Sequence, residues 1–153
     1  MMSTRSRRWA LGAALLLQAL AVPAFAGLGG NAGSVEADQL KMKGTLRTTV
    51  AAAFTVHEIT SPAGTVVREY LAPSGVVFAV AWHGRKMPDL QQTLGTYFTQ
   101  LTAAPRPEHP NHAHFSVNEP NFVLQSSGHM RAYSGRAYDP SLLPRGVAVT
   151  DIQ

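Results

Sequence analysis

Two segments that contain proline and glycine, eleven residues apart, constrain the fold of this chain more than any other feature. They are Ser61-Pro62-Ala63-Gly64 and Ala72-Pro73-Ser74-Gly75, and each separates two apolar, β-branched runs. Proline fixes φ at about −65°, which suits the second position of a type I turn, and glycine supplies the positive φ of a bulged hairpin. The pattern therefore predicts an antiparallel meander of three strands, at Phe54 to Ile59, Thr65 to Leu71 and Val76 to Trp82.

The alternation of side chains along these strands predicts which residues share a face of the sheet. On the second strand they are Val66, Arg68 and Tyr70, and on the third they are Val76, Phe78, Val80 and Trp82.

A short helix is predicted before the meander, from Val35 to Lys43. Ser34 is its expected N-cap, and Gly44 is expected to close it in the left-handed conformation. The glycine-rich segment Gly27 to Gly33 precedes this helix and is interpreted as a flexible tether.

A longer amphipathic helix is predicted after the meander, between Pro88 and Pro105. Its apolar stripe consists of Leu90, Leu94, Tyr97, Phe98 and Leu101. These spacings predict a helix that covers the apolar face of the meander, with Gly95 allowing close approach to the sheet.

The remainder of the chain combines a connector with further strands. Residues 105–114 contain three prolines and three histidines without periodicity, and are predicted to form an exposed loop. Strands are expected at Phe115 to Val117, Phe122 to Gln125 and Met130 to Tyr138, with Gly135 as a bulge or close-approach site. The predicted fold class is α+β: an antiparallel sheet with one amphipathic helix packed on a face and a short N-terminal helix.

The first residues have the composition of a secretory signal peptide. An uncharged apolar stretch, Trp9 to Val22, follows three basic residues, which are Arg5, Arg7 and Arg8. Small residues stand at positions −3 and −1 of a cleavage site after Ala26, namely Ala24 and Ala26 itself. The alternative is an uncleaved membrane anchor, because the apolar stretch and the residues that follow it are long enough to span a bilayer.

Removal of residues 1–26 lowers the net charge of the chain and so changes which binding partners the charge favours. It takes away three of the 13 basic residues and none of the 9 acidic ones, so the net charge falls from +4 to about +1. A nucleic-acid-binding protein needs a larger excess of lysine and arginine, and that class is excluded. The chain has no cysteine, which excludes a lipoprotein anchor and disulfides. Residues 27–153 are therefore expected to form a single domain in the periplasm or outside the cell, with no attachment to the membrane.

One candidate metal site lies in the connector, where His109, His112 and His114 form an H-x-x-H-x-H pattern. Imidazole binds zinc, copper and nickel, but an ordered site also needs neighbours that fix the ligands. The alternative is a hydrophilic loop without metal, and no cofactor is predicted.

Motifs for catalysis are largely missing from the sequence. There is no phosphate-binding glycine loop, no G-x-S-x-G and no zinc-protease motif. The one close pairing of hydroxyl and imidazole is Ser126 or Ser127 with His129. An enzyme of unknown class centred on His129 is therefore an alternative interpretation.

A candidate binding surface comes from arginine and tyrosine residues on the predicted strands. A strand from Met130 to Ser134 would place His129, Arg131 and Tyr133 on one face of the sheet. Arg68 and Tyr70 share one face of the second strand of the meander in the same way. The candidate residues are Arg68, Tyr70, His129, Arg131, Tyr133 and Arg136. Arginine and tyrosine together suit recognition of carboxylates, phosphates or sugar hydroxyls, and also suit protein interfaces. The alternative is an ordinary solvent-facing sheet.

Several longer motifs occur in an order that resembles one known family. They are Leu28-Gly29-Gly30, Thr55-Val56-His57-Glu58-Ile59, Gly64-Thr65-Val66-Val67-Arg68-Glu69-Tyr70, Val77-Phe78-Ala79-Val80-Ala81-Trp82, Gly128-His129-Met130-Arg131 and Gly135-Arg136-Ala137-Tyr138. The chain is similar in these motifs to the exported bacterial family called Domain of Unknown Function 2844. The resemblance implies a small secreted or periplasmic protein of Gram-negative bacteria and supplies no catalytic residues.

Together these features predict a non-enzymatic accessory or binding module of the cell envelope that acts through one face of its sheet. Its expected partner is an envelope protein or a small anionic or sugar ligand. An enzyme that uses His129 and a metal-binding protein that uses His109, His112 and His114 are the alternatives.

Overall fold

The structure is a computed structural model that describes residues 27–105 and 114–153. It contains three short helices: α1 (Ala32–Met42), α2 (Leu90–Leu94) and α3 (Phe98–Ala103), with a 3-10 turn at Gly95–Tyr97 between the last two. The strands are β1 (Thr45–Val50), β2 (Thr55–Thr60), β3 (Val66–Leu71), β4 (Val77–Gly84), β5 (His114–Glu119), β6 (Phe122–His129) and β7 (Ala132–Tyr138). A second 3-10 turn, Val149–Asp151, lies near the C-terminus.

The described strands form one antiparallel sheet in the order β1-β2-β3-β4-β7-β6-β5. The helical segment after β4 carries the chain to the far edge, and β5, β6 and β7 then return as a second meander until β7 pairs with β4. The predicted α+β class and the three-stranded meander are confirmed. Gly64 and Gly75 have φ of 79° and 83°, as the two turns require. Strand β1 was not predicted.

One face of the sheet carries α1, α2 and α3 and is called the helical face here. The main core lies between these layers and includes Ile59, Val67, Trp82, Leu94 and Phe122. The predicted stripe of the amphipathic helix does pack on this core. The predicted amphipathic helix is confirmed as a helical segment from Leu90 to Ala103. Within it Gly95 adopts φ 55° and ψ −127°, a conformation that only glycine takes readily. The segment is therefore broken into α2 and α3.

The opposite face is covered by the C-terminal segment, residues 139–153, and is called the tail face. Tyr70, Phe78, Ala79 and Ala81 form a second apolar cluster there with Ile152. The prediction that Phe78 shares a face with Val80 and Trp82 is therefore wrong. The pairing of β3 with β4 shifts register between Tyr70 and Leu71, and this bulge turns Phe78 to the tail face.

Helix α1 differs from the prediction at both ends. Asn31 is the N-cap, because its side chain accepts hydrogen bonds from the N–H groups of Gly33 and Ser34. At the other end Lys43 takes the left-handed conformation with φ 50°. Gly44 serves another purpose, because a Cβ there would lie 2.7 Å from Ile59 Cγ2 on the neighbouring strand.

The glycine-rich segment before α1 is packed into the fold and is not a tether. Leu28 is buried in the main core, and its N–H donates to the Thr93 carbonyl at 3.1 Å. The backbones of Gly29 and Gly30 exchange hydrogen bonds with Val77, both at 2.9 Å. This segment therefore joins α2 to the start of β4.

None of the helices in residues 27–105 and 114–153 is both long and apolar enough to cross a bilayer.

Candidate functional site

Three of the predicted ligand residues bind the C-terminal segment of the chain itself. Arg68 Nη1 and Tyr70 Oη both donate to the carbonyl of Gln153, at 2.9 and 2.8 Å, and Tyr70 Oη accepts from its N–H at 2.9 Å. Arg136 Nη1 donates to the carbonyls of Val149 and Ile152, at 2.9 and 3.3 Å. These arginine and tyrosine side chains recognise carbonyl oxygens, and in this structure the oxygens belong to residues 149–153.

The charge of Arg68 is also used within the sheet. Its Nε donates to Glu58 Oε2 at 2.7 Å across the β2–β3 pair. Arg136 Nε likewise donates to Gln125 Oε1 at 2.9 Å across the β6–β7 pair. Both arginines therefore hold the tail while they are themselves oriented by a neighbouring strand.

The other three predicted ligand residues surround the β6–β7 hairpin, but they do not share one face of the sheet. His129 pairs with Ala132, which places Met130 and Arg131 in the turn, and Arg131 has φ 67°. His129 lies on the tail face, whereas Tyr133 lies on the helical face. The predicted strand from Met130 is therefore wrong, because the hairpin turn occupies its first two residues and separates the side chains.

Gly128 sets the position of the Tyr133 ring in this hairpin. A Cβ at Gly128 would lie 2.7 Å from Cδ1 of Tyr133, its cross-strand partner. The ring therefore lies directly over the glycine, at the rim of the sheet beside Arg131.

A groove of about 570 Å³ lies at this hairpin. Its lining residues come from the β4 end, the start of β5 and the β6–β7 hairpin: Gly64, His83, Gly84, Arg85, His114, Ser127, Gly128, His129, Arg131, Ala132, Tyr133 and Ser134. None of the described residues that line it is acidic. We call this set the hairpin groove.

A second groove of about 540 Å³ continues from the hairpin groove toward the tail and shares His83, His114, Ser127 and Ser134 with it. Ser127 and Ser134 form the floor that both grooves share, and their hydroxyls lie 3.1 Å apart. Arg136 and Gln153 stand at its far end. The described lining of this groove also lacks a carboxylate.

The groove on the other side of the tail has a different charge. It measures about 700 Å³ and is lined by Arg47, Arg68, Glu58 and Asp151 among other residues. Arginine and carboxylate side chains balance each other there. The two grooves therefore differ in acidic side chains: this one has Glu58 and Asp151, whereas the described lining of the hairpin groove has none.

The candidate metal ligands are only partly described. His109 and His112 lie outside the described residues, as does the rest of 106–113, and His114 begins β5. Within the described parts of the chain, no group of three or more histidine, aspartate or glutamate side chains is arranged to hold a metal ion. The metal hypothesis stays a prediction.

The hydroxyl and imidazole pairing considered for catalysis is not assembled. Ser126 lies on the helical face, opposite to Ser127 and His129, and Ser127 bonds Ser134. Among residues 27–105 and 114–153, His129 has no side-chain hydrogen bond to a second titratable group. The imidazole instead lines an open groove.

One polar cluster was missed by the sequence analysis: a pair of buried carboxyl groups beneath α1. Glu69 is 0% exposed and Asp38 is 2% exposed. Gln92 Nε2 donates to Asp38 Oδ1 at 2.6 Å. Apart from Asp38, neither oxygen of Glu69 has a hydrogen-bond partner among the described residues. The burial of Glu69 could have been predicted from the alternation of side chains along β3, because Glu69 points to the same face as the apolar residues Val67 and Leu71.

Burial sets the protonation of this carboxyl pair. It raises the pKa of Glu69 well above its ordinary value, and the adjacent Asp38 raises it further because two carboxylates repel each other. Burial also raises the pKa of Asp38, against the opposing effect of its hydrogen bonds to Glu69 and Gln92. The pair therefore holds a shared proton at a pH where exposed carboxyl groups are ionised.

A hydroxyl and an imidazole lie near this carboxyl pair, at the free edge of the sheet. Thr48 Oγ1 is 3.0 Å from His57 Nδ1, and His57 pairs across the strands with Glu69. Partial burial lowers the pKa of His57. None of the side chains of Glu69, Asp38, Thr48 and His57 lines any of the grooves described above.

Comparison with known proteins gives a single result. The family model described as "Protein of unknown function (DUF2844)" matches residues 24–152. No curated protein and no solved structure matches the chain.

Proposed function

The chain belongs to the family described as Protein of unknown function (DUF2844), and from its hairpin groove we propose that it is an exported binding module for a small anionic ligand. The observation that carries this proposal is the charge of the groove lining. His83, Arg85, His129 and Arg131 converge there without a carboxylate among the described lining residues. The groove thus has two arginines, Arg85 and Arg131, and no acidic side chain among its described lining residues to balance them.

The polar groups beneath these cations suit a carboxylate or phosphate. Ser127 and Ser134 provide hydroxyl donors on the groove floor, and the arginines at the rim can donate several N–H groups to one anion. The small side chains on the floor leave space above the strands. This arrangement suits binding and orientation, and among the described residues neither serine hydroxyl is hydrogen-bonded to a histidine. It therefore supports a binding module more than an enzyme centred on His129.

The export part of the proposal is supported by the packing of residue 27, the first residue after the predicted cleavage site. A Cβ on Gly27 would lie 2.6 Å from the Gln92 carbonyl oxygen, and Leu28 enters the core. The first residue of the expected mature chain is therefore already part of the fold.

Anion binding is tested by titrating the protein with inorganic phosphate and with succinate while its amide NMR signals are recorded. We expect shifts in residues 127–134. Replacing Arg131 or Arg85 by glutamine should weaken binding about tenfold each, because each removes a charge-assisted hydrogen bond. Added sodium chloride should weaken binding to the unchanged protein.

The control for these variants is Arg145→Gln, which removes an exposed arginine that lines none of these grooves. It should bind as the unchanged protein does. Equal affinity in all three variants would contradict the proposal, as would a neutral disaccharide that binds more tightly than both anions.

Export is tested by measuring the intact mass of the protein in the periplasmic fraction of a Gram-negative host. We expect a chain that begins at Gly27. Replacing Ala24 and Ala26 by bulky residues should leave the leader attached, because the protease needs small residues there. Unprocessed protein in the cytoplasm, from the unchanged gene, would contradict export.

A further inference from the structure

The first strand leaves one edge of the sheet unpaired. Strand β1 stands at the end of the strand order and pairs only with β2 among the described strands. Its sequence, Thr45-Leu46-Arg47-Thr48-Thr49-Val50, contains no proline or lysine, and its pairing with β2 has no register shift. Proline, lysine and β-bulges are devices that usually protect an exposed edge from another chain, and Arg47 is the one charged side chain on this strand.

The hairpin between β1 and β2 shows which backbone groups face outward. Ala51 donates its N–H to the Phe54 carbonyl at 2.9 Å across the turn. Because hydrogen-bonded and non-hydrogen-bonded pairs alternate along an antiparallel ladder, Leu46, Thr48 and Val50 direct their N–H and C=O groups away from β2. Three residues of β1 can therefore form a new ladder at the free edge.

From these observations we propose that β1 pairs antiparallel with β1 of a second copy of this chain, with Thr48 opposite Thr48. In this register Leu46 lies opposite Val50, which is 78% exposed in the single chain. Arg47 then lies opposite Thr49. The two sheets join into one continuous sheet across a twofold axis.

The side chains favour this register over the neighbouring one. If the twofold axis moved by one residue, from Thr48 to Arg47, the two copies of Arg47 would lie directly opposite each other. Like charges in directly opposite positions are destabilising. A pair of threonines on the axis and an apolar pair on either side are both favourable cross-strand combinations. The strand is therefore complementary to itself, which argues for a second copy over an unrelated partner.

The strength of the interaction follows from its size. Five residue pairs bury less than the roughly 1,200 Å² of a standard interface, so we expect dissociation constants of about 10 to 100 µM. Sedimentation velocity of the purified protein across this range should show a concentration-dependent dimer. A protein that stays monomeric at all these concentrations would overturn the proposal.

Charge substitutions on the axis test the register. Thr48→Lys and Thr48→Glu should each remain monomeric, because each places two like charges opposite each other. A mixture of the two variants should form a heterodimer, because the charges are then opposite. Leu40→Lys, which adds a charge at an exposed position of α1, should dimerise as the unchanged protein does.

The absence of cysteine allows a second test of the same contact. In the proposed register Arg47 and Thr49 form a non-hydrogen-bonded pair with Cα atoms about 4.5 Å apart, within the range of a disulfide. Arg47→Cys mixed with Thr49→Cys should form a mixed disulfide under mild oxidation. A failure of the charge variants to reassociate would overturn the register, as would disulfides that join two copies of one variant in preference to the mixed product.

Discussion

Replacing Glu69 by glutamine is expected to stabilise the protein at alkaline pH and to reduce its loss of stability as the pH rises. The reason is the buried carboxyl pair, in which Glu69 is fully buried beside Asp38 and its oxygens have no other hydrogen-bond partner among the described residues. A glutamine amide can donate to Asp38 as the protonated carboxyl does, without needing a proton from solution. The variant therefore keeps the hydrogen bond to Asp38, but residue 69 no longer gains or loses a proton as the pH changes.

The direction of the pH dependence follows from the raised pKa. A carboxyl group whose pKa is higher in the folded chain than in the unfolded chain stabilises the fold fully when the pH is below its pKa in the unfolded chain, which is 4.5 for Glu69. This stabilisation is lost as the pH rises toward the pKa in the folded chain. For one proton the free energy of unfolding falls by about 1.4 kcal/mol per pH unit in that interval. Urea titrations between about pH 4 and 9 would measure the slope for the unchanged protein and the variant.

The matched control for this prediction is Glu36→Gln, which neutralises an exposed carboxylate on α1, the helix that carries Asp38. Its unfolding free energy should follow that of the unchanged protein at every pH. A Glu69→Gln variant that is less stable than the unchanged protein at pH 8 would contradict the shared proton.

The second large effect is expected at Gly135, where β7 passes beneath the indole of Trp82. A Cβ on residue 135 would lie 2.6 Å from Trp82 Cε2 and 2.8 Å from the Gln125 carbonyl oxygen. Because Trp82 is buried and the second contact is with backbone, neither neighbour can move freely. Gly135→Ala should therefore lower the free energy of unfolding by about 3 kcal/mol, as overpacked cores do.

A double-mutant cycle with Trp82→Phe separates the contact from the intrinsic effect of alanine. The smaller ring removes the indole atoms nearest to residue 135. The double variant should therefore lose less stability than the two single variants together, by about 1 kcal/mol or more. Additive losses in thermal or urea unfolding would show that the indole is not what excludes a side chain at position 135.

The turns and the meander could be predicted because their signals are local. Pro62 and Gly64, and Pro73 and Gly75, each fix backbone angles within four residues, and the structure confirms both turns. The close approach predicted at Gly135 is also confirmed, and its partner proves to be Trp82. Strand β1 was missed because its threonines and arginine lack the apolar alternation of a half-buried strand.

Features that depend on distant pairing could not be read from the sequence. The inversion of Phe78 comes from a register shift against β3, which the alternation of β4 alone does not contain. The binding of residues 149–153 by Arg68, Tyr70 and Arg136 joins parts of the chain that are far apart in sequence. The sequence patterns predicted these three side chains as part of a surface for a ligand or partner, and in the structure their hydrogen bonds go to main-chain oxygen atoms of the chain itself.

The strand order has a consequence for how the chain acquires its structure. The pairing of β4 with β7 lies in the middle of the sheet, yet β7 is the last strand to be synthesised. Until β7 is synthesised, β4 pairs only with β3 among the described strands and forms an open edge of the first meander. Folding must wait for contacts of long sequence separation, which makes it slow. A chain that passes through a narrow channel before folding would benefit from such a delay.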